Sequence, residues 1–330
     1  MLLTARQLKD VCGEMPFIYR AGVWKPRTSP HTFQGAGEVA LEWIQEVKQT
    51  LGVPVATEVA TPEHVEAALK AGIDYLWIGA RTSASPIAVE AISRQLSAIR
   101  ERNAEGSRLM AILIKNPVNA DAQLWLGNIE RLEKTGVPVI AVHRGCNHQP
   151  CWSMAHAVRT ARPEIPMLLD PSHMSGDAAQ VPALMARIEE LGLNGAMIEV
   201  HCDPKAALSD NAQQITPKEL RDTLDPILSR FSLASLICPP EGVELNWLRA
   251  EIDELDETLL DSVARRMEVS RRIGTWKKAH GITPLQPERF QMVLDRLKAK
   301  GEKRNGTSVP ATFVEQLWNI IHEQSLREQE

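Results

Sequence analysis

MAILIKN (residues 110–116) and VIAVHRG (139–145) are near-continuous apolar runs that each end on a cation, Lys115 and Arg144. A half-solvated strand would alternate, so a run that is apolar on both faces predicts a parallel strand covered on both sides. Five further runs have the same character: FIYRAG (17–22), VPVATEV (53–59), YLWIGAR (75–81), PMLLDPSH (166–173) and GAMIEVH (195–201), with amphipathic helical stretches between them. Their polar ends are Arg20, Glu58, Arg81, Lys115, Arg144, His173 and Glu199. In a (β/α)₈ barrel the C-terminal ends of the strands converge on the active site. Seven such ends therefore predict an α/β fold of the TIM-barrel type with a site at that face. A closed barrel needs eight strands, and the chain opens with LLTARQLKDV, which reads as a helix. The expectation is a barrel that lacks strand 1, either through truncation before Met1 or because the barrel is incomplete.

After SLICPPEGV (235–243) the pattern changes, which predicts a barrel domain over 1–235, a linker over 236–244 and a second domain over 245–330. Leu245, Leu248, Ile252, Leu255, Leu259, Val263, Met267, Ser270 and Gly274 recur at spacings of three and four, the mark of one long amphipathic helix. Gly281 and Pro284 end it, a second helix is expected from about Pro287 to Lys300, and a third from about Pro310. This is an all-α, three-helix bundle.

Composition excludes several functions. The 330 residues are 44% hydrophobic and 24% charged, with a net charge of -5, which offers no electrostatic case for nucleic acid or an anionic membrane. No apolar run approaches the ~20 residues of a membrane span, and the N-terminus has no signal-peptide pattern. Five cysteines (12, 146, 151, 202 and 238) suit a reducing compartment better than a disulfide framework, so a cytoplasmic location is expected.

Lys25-Pro26-Arg27-Thr28 follows the first run, with two cations and a hydroxyl suited to a phosphate, or else forming a basic surface loop. Gly79 before Arg81 would let a backbone N–H approach an anion. With Lys115 and Arg144 these residues predict a cationic ring at the barrel mouth, holding phosphorylated ligands. His173, Glu199 and Asp210 on or after the last two runs could bind Mn, Fe, Co or Zn, or act as hydrogen-bonding groups only. His143, Cys146, His148, Cys151 and His156 crowd one loop, but their spacing matches no standard zinc pattern, and a loop with incidental cysteines is the better reading.

KPRT, LWIGART, ILIKNPVN, AVHRG, LLDPSH and IEVHCDPKAALSDNAQQ resemble, in order and spacing, the motifs of 3-deoxy-D-arabino-heptulosonate-7-phosphate (DAHP) synthases, over roughly residues 1–225. The resemblance implies condensation of phosphoenolpyruvate with erythrose 4-phosphate and loss of phosphate. It places Lys25, Arg27 and Thr28 on erythrose 4-phosphate, and Arg81, Lys115 and Arg144 on phosphoenolpyruvate. His173, Glu199 and Asp210 fall on three of the family's four metal ligands. The fourth, a Cys in an Ala-Gly-Pro-Cys-Ser strand, would lie before residue 1. KPRT, where the sister synthase of the eight-carbon sugar acid has an Asn-containing motif, favours the four-carbon aldehyde.

Arg266 and Lys277 on the long helix are about 16 Å apart on nearly one face and could bracket a small dicarboxylate. Arg249 is about 42 Å from Lys277, so it could join them only from a second chain, which predicts an interlocked homodimer through these helices. Solvated surface cations are the competing reading. LRAEIDELDETLLDSVARRMEVSRRIGTWKK, the Gln-x-x-Arg turn and SLREQ resemble the helical chorismate mutases over about 245–330. The resemblance implies a cofactor-free rearrangement of chorismate to prephenate. Arg249, Arg266 and Lys277 would hold its carboxylates and ether oxygen, Gln286 and Arg289 would act at the second helix, and Ser325 and Gln329 would close the site. Phe290 stands where many members have a Glu. Two other readings are a chorismate mutase with a non-catalytic regulatory or scaffolding barrel, and an aldolase using Lys115 as a Schiff-base amine. Because the mutase product lies downstream of the synthase, the fusion is expected to be regulatory.

Overall fold

The computed structural model of the chain describes residues 1–27, 29, 31–102, 109–228, 242–301 and 308–329. They form two compact units, Met1–Glu251 and Ile252–Glu330. No helix among them is long and apolar enough to cross a membrane.

In the first unit all seven runs are strands: β1 (Tyr19–Arg20), β2 (Val55–Val59), β3 (Tyr75–Ile78), β4 (Ala111–Lys115), β5 (Val139–His143), β6 (Met167–Leu169) and β7 (Gly195–Ala196). They pair in parallel in sequence order as one seven-stranded curled sheet with β1 and β7 at its edges. The helices are α1 (Leu2–Cys12), α2 (Val39–Leu51), α3 (Pro62–Lys70), α4 (Ala80–Ser83), α5 (Pro86–Arg102), α6 (Ala122–Glu133), α7 (Trp152–Ala161), α8 (Pro171–Ser175), α9 (Val181–Glu190) and α10 (Pro217–Leu228). Capping fixes where several begin. Thr61, Asp121 and Asp170 each accept a backbone N–H from the first turn of α3, α6 and α8, with Pro starting α3 and α8.

The two-residue period of a strand sorts the side chains. Ile112 and Ile114 of β4 turn outward into the large core beneath the helices, together with Leu76, Ile78 and Ala141. Ala56, Trp77, Leu113, Val142 and Met197 form a separate small cluster on the inner side of the sheet. Two residues further along each strand, on the same inner side, come Glu58, Gly79, Lys115, Arg144 and Glu199. The apolar cluster is thus a floor, and the next layer up carries the charge, as stacked layers do in a barrel.

The second unit contains most of α11 (Val243–Ala279), with α12 (Pro287–Gly301) and α13 (Ala311–Arg327). The three helices match those expected. Of the linker expected over 236–244, residues 236–241 lie outside the described residues, and α11 has already begun at Val243. The first turns of α11 belong to the first unit. There Trp247 is fully buried and donates its indole N–H to the Leu191 carbonyl at 3.0 Å, while Asn246 donates to Glu190 at 2.9 Å. His156 of α7 stacks on Trp247 (5.5 Å, 11°) and meets Glu244 at 3.1 Å through one ring nitrogen and Glu251 through the other.

Candidate functional site

Above the floor lies a cavity of about 550 Å³. Among the described residues, six cations line it (Arg20, Lys25, Arg27, Arg81, Lys115 and Arg144) against three carboxylates, Glu58, Glu199 and Asp210. The surplus of positive charge suits a small, multiply anionic ligand.

Lys115 ends β4 with its side chain 5% exposed, and its ammonium is paired at 2.7 Å with the fully buried Asp170. The partner carboxylate that a buried lysine requires is therefore present. Burial alone would raise the Asp170 pKa, but His173 and Lys115 outweigh it and hold the carboxyl well below its ordinary range. Asp170 also receives the Nδ1 side of His173, at 3.0–3.1 Å, which leaves Nε2 facing Glu199 at 3.8 Å. Glu199 accepts from Gln213 at 2.9 Å and lies 3.4 Å from Arg20. The Arg20 guanidinium sits 5.4 Å over the Trp77 ring. Arg144 is positioned from both ends: Asn116 accepts its backbone N–H at 2.7 Å, and its guanidinium donates to the His173 carbonyl at 3.4 Å. The Nε atoms of Arg20 and Arg144 are buried with no hydrogen-bond partner among the described residues. Donors buried in that way are costly unless a ligand meets them.

Asp210 lines the same cavity as His173 and Glu199 but is engaged by cations. Arg27 grips it with two hydrogen bonds, at 2.9 and 2.7 Å, and Lys25 reaches it at 3.1 Å. These cations outweigh burial and hold its carboxyl far below the usual range. Among the described residues no three His, Cys, Asp or Glu groups are placed to hold a metal ion. The two oxygens of Asp210 offer about four acceptor sites and these three hydrogen bonds use three of them, so Asp210 is engaged here without losing its capacity as a ligand. Among the described residues, the loop of His143, Cys146, His148, Cys151 and His156 likewise shows no group of three metal-ligating side chains. His143 is buried beside Trp125 and Trp152, and His156 is taken by Trp247 and two glutamates.

In the second unit, Arg266 donates to Ser325 and to the Ile321 carbonyl (3.4 Å), and Lys277 donates to Gln329 at 3.0 Å and to the Pro284 carbonyl at 2.7 Å. Gly274 makes this possible, because a Cβ there would stand 2.6 Å from the Gln329 Cα. Four expected residues are thus assembled by α11, α13 and the turn that follows α13. Gln286 and Arg289 are exposed at the start of α12, and Arg249 is exposed on the part of α11 that belongs to the first unit.

Residues 1–230 match the family model described as the DAHP synthetase I family. The chain belongs to that family. Residues 248–330 match the chorismate mutase type II model, so the chain is a fusion of the two. It is similar to phospho-2-dehydro-3-deoxyheptonate aldolase of Thermotoga maritima, at 28% identity over 205 residues, covering 60% of this chain and 56% of that one. A crystal structure of a phospho-2-dehydro-3-deoxyheptonate aldolase (DAHP synthase) from Thermotoga maritima superposes with a TM-score of 0.58 at 25% identity, over 69% of this chain and 64% of that one. The chain therefore spans less than two thirds of both synthases. Its helical part is 50% identical over 56 residues to 4-amino-4-deoxychorismate mutase of Streptomyces venezuelae, covering 17% of this chain and 54% of that one.

Within this DAHP synthetase family chain, Lys25, Arg27, Arg81, Lys115, Arg144, His173, Glu199 and Asp210 all line the one cavity, while Thr28 lies outside the described residues. Gly79 has a further use: an added Cβ would fall 2.0 Å from Glu58 Oε1, so the glycine makes room for that glutamate. Burial raises the Glu58 pKa against the opposing pull of Lys115, His173, Arg20 and Lys25. Sequence reasoning noted Glu58 and Arg20 as strand ends without assigning them roles, and it missed Asp170. The signal for Asp170 was present: Asp-Pro before a short helical stretch is an N-cap pattern, and Lys115 needed a carboxylate. Lys115 in a buried ion pair is poorly placed to attack a carbonyl, which tells against the Schiff-base reading.

Proposed function

We propose that the chain condenses phosphoenolpyruvate with erythrose 4-phosphate to DAHP and phosphate in its barrel, and rearranges chorismate to prephenate in its helical part. The observation that carries the first half is the six-cation cavity at the C-terminal ends of parallel strands, with two guanidinium Nε groups still seeking an acceptor. Arg81, Lys115 and Arg144 would hold phosphoenolpyruvate, and Lys25 and Arg27 the aldehyde phosphate. Their fixed charges would offset the charge that develops as carbon–carbon bond formation proceeds and phosphate departs. Members of the family use a divalent metal. His173, Glu199 and Asp210 of the cavity lining are the residues that would hold it, with Glu199 meeting Arg20 and Gln213 and Asp210 meeting Arg27 and Lys25 in this structure.

In the helical site Arg266 and Lys277, braced by Ser325 and Gln329, would hold a compact conformer of chorismate and offset charge on the breaking ether. Arg249 would come from a second copy. Ile252, Leu255 and Leu259, one stripe of α11, are 57–61% exposed, an apolar face that a homodimer through these helices would cover. Loss of phosphoenolpyruvate in the presence of erythrose 4-phosphate and a divalent metal, and loss of chorismate without any addition, test the two halves separately. A mutase whose barrel is non-catalytic is the second reading, favoured by the engagement of Asp210 with Arg27 and Lys25. Chorismate consumed while phosphoenolpyruvate is untouched would establish it.

A further inference from the structure

His322 belongs to the helical site, although neither the motif resemblance nor the family match assigns it a role. Residues 322 and 325 of α13 are three apart and share one stripe, and Gln329 follows in the turn just past the helix end. Ser325 of that stripe accepts from Arg266 and Gln329 accepts from Lys277, so this end of α13 faces the two cations. His322 extends it by one turn, next to the Ile321 carbonyl that accepts from Arg266. Its ring lies flat on Phe290 of α12, with centroids 3.9 Å apart and planes within 8°. Burial first, then the fields of Arg266 and Lys277, lowers the His322 pKa from its ordinary value, so the half-buried ring is neutral at neutral pH.

We propose that His322, seated on Phe290, determines specificity in this site by reading the uncharged polar substituent on the ligand's ring. The inference rests on the mutase reading above. A chorismate-type ligand offers two carboxylates, an ether oxygen and one ring hydroxyl. Arg266, Lys277, Ser325 and Gln329 are fitted to the carboxylates and the ether. The hydroxyl both donates and accepts, as a neutral imidazole does, whereas ammonium and guanidinium groups can only donate. A ring amine in place of the hydroxyl would be protonated and would add a third positive charge beside Arg266 and Lys277. A neutral imidazole on a phenyl ring does nothing to offset that charge, whereas a carboxylate at position 290 would. The site therefore selects the hydroxyl-bearing ligand over the amine-bearing one, despite the chain's similarity to a mutase named for the latter.

Initial rates of the full chain with chorismate and with 4-amino-4-deoxychorismate test this, using wild type, His322→Leu, His322→Asn and Phe290→Glu. The expected wild-type kcat/KM favours chorismate by about tenfold or more. His322→Leu should lose about tenfold on chorismate, chiefly in KM, with little change on the amine. His322→Asn, a neutral donor and acceptor, should recover most of the loss, and Phe290→Glu should move the preference toward the amine. An unchanged preference in His322→Leu and Phe290→Glu would overturn the inference and leave the mutase reading intact. If His322→Leu fails to fold, the Asn and Glu variants still decide it. Conversion of neither compound by wild type would overturn both.

Discussion

Lys115 and Asp170 are the most deeply buried opposite charges lining or flooring the barrel cavity, and each makes the other tolerable. Asp170→Asn would leave the ammonium with no carboxylate at 2.7 Å, at a cost of about 3–5 kcal/mol, read as a lower urea midpoint. His143 acts in the opposite sense. It ends β5 on the outer side of the sheet, and burial pulls its pKa down to about 4. Its unfolded value is about 6.5, so between those two pH values the unfolded chain binds a proton that the folded chain refuses. Stability is then complete above about pH 6.5 and falls as the pH drops toward 4, by roughly 3 kcal/mol in all. His143→Phe should flatten urea midpoints across that window. A variant as pH-sensitive as wild type would show that another group is responsible. Asp170, Glu199 and Asp210, all held below their ordinary values, contribute stability present above the unfolded carboxylate range of about 4 and lost only below it.

α11 shows how far a sequence pattern reaches at the scale of an element. Its apolar spacing continues unbroken from Leu245 to Gly274 and marks the helix correctly, yet the burial along it is not uniform. Met267 and Ser270 are covered, while Ile252, Leu255 and Leu259 are exposed. Periodicity reports which face is apolar but not what covers it. Leu255→Arg should convert a dimer to a monomer in sedimentation; a monomeric wild type would remove the proposed source of Arg249. Trp247→Ala should destabilise the first unit by about 3–5 kcal/mol, because a fully buried indole and its hydrogen bond to Leu191 are both lost. The strands were legible because runs apolar on both faces have few other uses, and counting by two from the floor recovers the charged layer. The reason for Gly79 was not legible, since it depends on Glu58 of the neighbouring strand. The turning of Asp210 toward Arg27 was hidden as well, because a list of metal-ligating residue types does not show which cations compete for them.

Across the whole molecule, two different scaffolds each bring long cationic side chains together, as the proposed binding of small anions requires. The parallel sheet does so by register, one layer above an apolar floor. The helices do so by stripe, with α13 bracing the cations of α11. The barrel half is tested most directly by calorimetric titration of phosphoenolpyruvate into the full chain and its Arg144→Ala variant. A single saturable site is expected, weakened by added salt and weakened at least about tenfold by the substitution, since Arg144 is one of the two cavity-lining arginines with a buried, unmet Nε among the described residues. Absence of binding, or binding that is indifferent to the loss of Arg144, would contradict the account.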